Sequence, residues 1–282
     1  MILFCELLKN RNFDFSQNTI LIRHKDKRVS IFELIEKGYL DYYQAVQNKN
    51  IFKSCKYMIV FIGLEQTKAL FYNIYEITGT KDVKEIKWPD NFPVELQQVD
   101  SEKDTYYILK KLEGFEDLSE RVIIDWGKGT LAWAQNYSEK EIIQILPTGY
   151  LREFSDYLDL TLSYSELRKI YNFPEANKRW IDKLSAVNGI YLILDKKTGE
   201  QYIGSAYGKD GIWGRWKDYA TTGHGNNKLL MDLLENNENY FLNFQWTIME
   251  TLPSNLSKEE IIEYELKYKQ KLGSRLFGLN IN

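Results

Sequence analysis

The sequence predicts an α+β protein in two parts: a mixed, β-rich N-terminal domain over 1–180 and a small α/β domain over 181–282. Three observations predict it. Strand-like runs dominate the first half, and from Gly189 the order becomes strand, strand, helix, helix, strand, helix. The third is size: 282 residues with 44% hydrophobic and 15% aromatic content favour two cores over one.

In the first part, residues 19–23, 57–62 and 69–75 read as strands, with a helical segment over 31–46 between the first two. Further strand-like runs follow at 105–109 and 121–126. Helical patterns at 164–170 and 176–184 read as a connector, which places the boundary near 180. Beyond it, an apolar strand opens at Gly189, a turn rich in Lys and Gly follows Asp195, and a second strand contains Tyr202-Ile203-Gly204, which together make a hairpin. Helices over 212–220 and 226–235, a strand over 244–252 and a helix over 258–272 complete a three-stranded antiparallel sheet flanked by helices. Ser257 with Glu260 forms a capping box for the last helix, and Gly273 stops it.

Charge does not select a partner, because 37 basic residues nearly cancel 40 acidic ones; any nucleic-acid contact must come from a local patch. Two cysteines without CxxC spacing and two histidines argue against a structural zinc site and a disulfide scaffold, and point to a reducing cytoplasm. The apolar start is too short for a secretory core, and no apolar run reaches the roughly 20 residues of a membrane helix. A protein with no membrane partner is expected.

The chemistry-bearing residues cluster in the second part. Gly189-Ile190-Tyr191 and Tyr202-Ile203-Gly204 flank the hairpin, and each tripeptide alone is ordinary strand-end composition. Arg215 and Tyr219, four apart, share one face of the following helix. On the last helix, at about 100° per residue, Ile261, Ile262, Tyr264, Tyr268 and Leu272 share an arc, and Glu265 falls inside it. An acid aimed into an apolar seam calls for a cation, either a metal ion or a basic side chain such as Lys269 four residues on. Asn280 closes the series and by itself reads as an ordinary turn residue. In Gly223-His224-Gly225, His224, with Lys228 beyond it, could meet a phosphate or simply form a turn into a helix.

In their order, these residues resemble the GIY-YIG endonuclease family. The resemblance implies Tyr191, Tyr202, Arg215 and Glu265 as catalytic residues, Tyr219 and Asn280 as supports, and one Mg²⁺ (or Mn²⁺) ion on Glu265. It implies Tyr191 as general base and Tyr202 as its neighbour, roles that the residues themselves do not separate. A free phenol with pKa near 10 is only about one part in a thousand ionised at neutral pH, so Tyr191 would have to be tuned. DNA is the expected substrate, and a homodimer would serve double-strand cleavage. A restriction or phage-defence role is expected, with the first domain choosing the target. A DNA-binding sensor with an inactive or conditional nuclease domain, and an RNA or repair nuclease, are the alternatives. In the first domain, Trp88, Trp126, Trp133 and the runs Tyr42-Tyr43 and Tyr106-Tyr107 read mostly as core aromatics, a few of which could form the stacking pocket of a base-sensing β-barrel, while the basic run from Arg23 to Arg28 could track phosphates or form a charged turn.

Overall fold

The computed structural model describes residues 2–129, 131–235, 237 and 239–280, and the chain divides into two compact units, Met1–Pro147 and Thr148–Asn282. The division lies well before 180, and the reason is packing. The helices that read as a connector put Leu167, Ile170, Trp180 and Leu184 into the core of the second unit.

The first unit contains α1 (Phe4–Lys9), β1 (Thr19–His24), α2 (Ile31–Glu36), α3 (Leu40–Ala45), β2 (Val46–Asn48) and β3 (Tyr57–Gly63), followed by β4 (Lys68–Lys81), β5 (Asp104–Lys111), β6 (Val122–Asp125), β7 (Ala134–Asn136) and β8 (Ile142–Ile145). The helical stretch over 31–46 is interrupted because Gly38 sits at φ +71°, a left-handed turn that ends the α2 region. β1 is buried along its whole length and runs parallel to β3, the signature of a strand covered on both faces. Leu21, Ile59 and Phe61 pack beneath α1 with Phe71 and Trp126, while Ile20, Ile22, Met58 and Val60 fill the opposite face. The strand order is β2-β5-β4-β3-β1-β7, with β6 and β8 branching from the first residues of the long β4. Among the described residues this path does not close, so the sheet is open rather than the expected barrel.

The second unit contains β9 (Thr161–Ser163), α4 (Tyr164–Asn172), α5 (Lys178–Ser185), β10 (Asn188–Asp195), β11 (Gln201–Ala206), α6 (Gly211–Thr222), α7 (Lys228–Glu235), β12 (Phe244–Leu252), α8 (Lys258–Leu272) and α9 (Ser274–Phe277). The three expected strands are antiparallel neighbours, and β9 adds a fourth, giving the order β11-β10-β12-β9. Period-two alternation divides their side chains. Tyr191 and Ile193 enter a core with α4, α5 and α6, whereas Ile190, Leu192 and Ile203 face Ile261 of α8. The capping box forms as expected: Glu260 N donates to Ser257 Oγ at 3.2 Å, Ser257 N donates to Glu260 Oε2 at 2.8 Å, and Gly273 ends α8 at φ +63°. Ile262, expected in the α8 seam, is 36% exposed; the buried positions of α8 are Ile261 and Lys269. No described helix is long and apolar enough to cross a membrane.

Candidate active site

The hairpin turn is built by Asp195, whose Oδ1 accepts from Lys197 N at 2.8 Å while Gly199 adopts φ +81°. It sets a register in which Tyr191 lies opposite Gly204. A methyl group at Gly204 would lie 2.4 Å from the Tyr191 hydroxyl, so only glycine lets the phenol lie across β11. The other tripeptide glycine is equally constrained, since a Cβ at Gly189 would meet Glu250 O at 2.6 Å. The two glycines thus mark close approaches.

α6 delivers the next residues. Its apolar stripe of Ile212, Trp213, Trp216, Tyr219 and Ala220 docks on the sheet, which fixes Arg215 at the edge of that stripe. Tyr191 and Tyr219 are fully buried, and their hydroxyls lie 3.1 Å apart. Arg215 donates from Nε to Tyr191 Oη and from Nη2 to Tyr219 Oη, both at a long 3.4 Å, and its guanidinium lies 4.9 Å from the Tyr219 ring. The nearest carboxylate to Arg215, Asp218, stands 3.6 Å from Nη1. The Tyr202 ring lies 6.4 Å from that of Tyr191, on the same side of the sheet. Gly225, at φ +51°, closes over Tyr219: a Cβ there would approach the ring to 2.5 Å. Arg215 thereby donates its hydrogen bonds to neutral hydroxyls and forms a long ion pair with Asp218, an arrangement that can still admit an incoming anion.

Burial raises the Tyr191 phenol above its ordinary pKa, with Tyr202 adding to the rise; Arg215 and the Tyr219 hydrogen bond oppose it without reversing it. Tyr219 is raised too, by burial first and then by Tyr191 and Tyr202. Both are protonated at neutral pH. The tuning expected of a general base therefore runs the other way in this state.

Glu265 does not join the phenols. It projects from α8 onto the opposite face of the sheet, where it accepts a short hydrogen bond from Ser205 Oγ, and Lys269 Nζ lies 2.7 Å from its Oε1. Of the two cations that its position called for, the structure provides the basic side chain. Read from the sequence, hydrolysis requires the acid and the phenols to converge around one linkage, and an acid on the opposite side of the sheet leaves ligand recognition alone; the structure shows that opposite placement, with α6 and α8 both packed on β11, the outermost strand of the sheet. The sequence reading missed Ser205, although its place two residues past Ile203 puts it on the same face of β11.

Asn280 braces that same strand. Its Oδ1 accepts from Ile203 N at 2.9 Å and its Nδ2 donates to Ile203 O at 2.8 Å, while Leu279 N donates to Gln201 O at 2.8 Å. His224 accepts from Asn226 N at 3.0 Å through Nδ1 and shapes its own turn, and Lys228 begins α7 in an exposed position. Among the described residues neither bonds to the phenols or to Arg215. No group of three His, Cys, Asp or Glu side chains that could hold a metal occurs among the described residues.

Two solved structures resemble part of the chain. One is the catalytic domain of the homing endonuclease I-TevI, and the other is the catalytic domain of intron endonuclease I-TevI with a single substitution. Each is 28% identical and covers 34% of this chain, with 98% and 94% of its own length respectively, at a TM-score of 0.27. At that score the likeness establishes neither fold nor activity. No protein-family model and no curated protein matches.

Proposed function

We propose that the chain is an endonuclease that hydrolyses phosphodiester bonds in DNA, with the scissile phosphate bound beside β11. The observation that carries the reading is the half-buried Arg215, held between the Tyr191 and Tyr219 hydroxyls and 3.6 Å from its nearest carboxylate. A guanidinium so placed can bind two oxygens of a phosphate and stabilise the charge that grows in the transition state. The protonated phenols add donors to the same oxygens, and Tyr202 is assigned the orienting of a water. Tyr191 as base needs added positive charge beside it to favour the phenolate.

Glu265 is the residue that would hold one Mg²⁺ or Mn²⁺ ion, which when bound would polarise phosphate and leaving-group oxygens. A single carboxylate fits such an ion only where substrate oxygens and water complete the coordination, and only with Lys269 released. His224 and Lys228 are assigned to DNA phosphates on either side. Choice of target belongs to the first unit in this reading, as in a restriction or phage-defence enzyme, and a homodimer would supply the second cut.

The Glu265–Lys269 pair favours a second reading: a conditional nuclease that binds DNA and cleaves only when Lys269 is displaced. Incubating the chain with labelled duplex DNA, with and without Mg²⁺, tests both. Arg215→Ala and Glu265→Ala are expected to lower cleavage by about 10²-fold or more while DNA binding persists. Wild-type cleavage by either variant would end the assignment. Lys269→Gln is expected to raise cleavage at limiting Mg²⁺, and unchanged cleavage would remove the conditional reading.

A further inference from the structure

At the C-terminal end of β1 the first unit contains a cleft of about 500 Å³, a volume typical of small-ligand sites. The basic run and half-buried aromatics meet there: Arg23, Lys25 and Arg28 line it with Tyr43, Trp88 and Trp133. We propose that this cleft binds one nucleotide of DNA extruded from the helix, its base between the aromatic rings and its phosphate against the basic floor. Every residue involved lies in the first unit, so the proposal stands whether or not the second unit cleaves.

The floor is a built surface. Arg23 is 4% exposed, and its Nη2 donates to the carbonyl oxygens of Leu64, Gln66 and Lys68 at 3.1–3.5 Å. Gly63 gives the guanidinium room, since a Cβ there would stand 3.1 Å from it. Lys25 Nζ donates to Leu64 O at 2.9 Å, a neutral partner. Asp26 takes up Arg28 at 2.7 Å and also accepts from Tyr43 Oη at 3.2 Å, which fixes the tyrosine wall. His24, equally buried, meets the Tyr43 ring edge-on at 5.2 Å.

The walls suit a flat ligand. Phe92 stacks on the Trp88 indole at 4.7 Å with 23° between the planes, which holds that ring in place, and Trp133 is only half-buried. Half-buried rings in a cleft offer the stacking surface on which an unpaired base gains free energy. The remaining lining includes Gln47, Asn48, Gln98 and Asp104, amide and carboxylate groups of the kind that hydrogen-bond a base edge. A bare phosphate site would need neither the rings nor the amides. Two carboxylates, Glu95 and Asp104, also line the cleft and moderate its positive charge, so charge alone does not account for binding.

The test is calorimetric titration of the full chain, free of divalent metal, with deoxynucleoside 5′-monophosphates, including base-modified ones, and with inorganic phosphate. At least one nucleotide is expected to bind, with Trp133→Ala and Lys25→Ala each weakening it by about tenfold or more and both variants melting like the wild type. The component of binding that Trp133→Ala removes belongs to this cleft, and any component that Arg215→Ala removes instead belongs to the proposed cleavage site. The proposal is overturned if no nucleotide binds at millimolar concentration, if phosphate alone binds as well, or if Arg215→Ala removes the binding that Trp133→Ala leaves intact.

Discussion

A glycine without a side chain decides the position of the central phenol. With 2.4 Å between a methyl at position 204 and the Tyr191 hydroxyl, Gly204→Ala must push either the phenol or the strand aside. The substitution should destabilise the second unit by about 1–3 kcal/mol in denaturant melts and lower any cleavage, and a variant as stable as the wild type would show that Tyr191 is not confined as described. In the first unit His24 makes a different prediction. Burial lowers its pKa to about 4 from the ordinary 6.5, so between those values the unfolded chain binds more protons than the folded one. Stability should fall as pH drops from about 6.5 to about 4, by about 3 kcal/mol in all, and His24→Gln should flatten that slope in urea melts at each pH. Asp26 acts at lower pH. Bonded to Arg28, it titrates at about 2 in the folded state, and its contribution is lost as pH falls from about 4 towards 2. Legibility at this scale was uneven. Arg215 and Tyr219 share one helix face, as their spacing of four requires, while their meeting with Tyr191 depends on how α6 docks on the sheet; the protonated state of the phenols depended on burial, which no motif states.

Elements were read well wherever a periodic pattern coincided with a local stop signal. The helix α8 begins at its capping box and ends at Gly273. The strands β10, β11 and β12 carry enough apolar residues to be recognised alone. Shorter pieces escaped: β7, β8 and β9 are three or four residues each, too short for alternation to register, and exist because a neighbouring strand offers open hydrogen bonds. Asn280 is the clearest case of a residue serving an element. By bonding both backbone groups of Ile203 it does for the edge strand β11 what another strand would do. Asn280→Ala should leave those groups unsatisfied at a cost of about 2 kcal/mol, and the Ile203 amide should lose protection in hydrogen exchange. Undiminished protection would mean that water or the chain terminus substitutes for the side chain.

For the whole molecule, the placement of the division has a direct consequence. β9, α4 and α5 supply Leu162, Leu167, Ile170, Trp180 and Leu184 to the second core, so a fragment over 148–282 should fold and unfold cooperatively, whereas one over 181–282 should not. Circular dichroism melts of the two fragments decide it; equal cooperativity would return the boundary to 180. Periodicity, capping signals and tripeptide spacing are local properties, and from them follow the α+β class and the strand and helix order of the second unit. The parallel pairing of β1 with β3, the open sheet, the cleft that collects Arg23, Lys25, Trp88 and Trp133, and the face on which Glu265 meets Lys269 depend on contacts between distant segments. Those are settled by which surfaces can be buried together, a condition on the folded chain as a whole that no single stretch of residues contains.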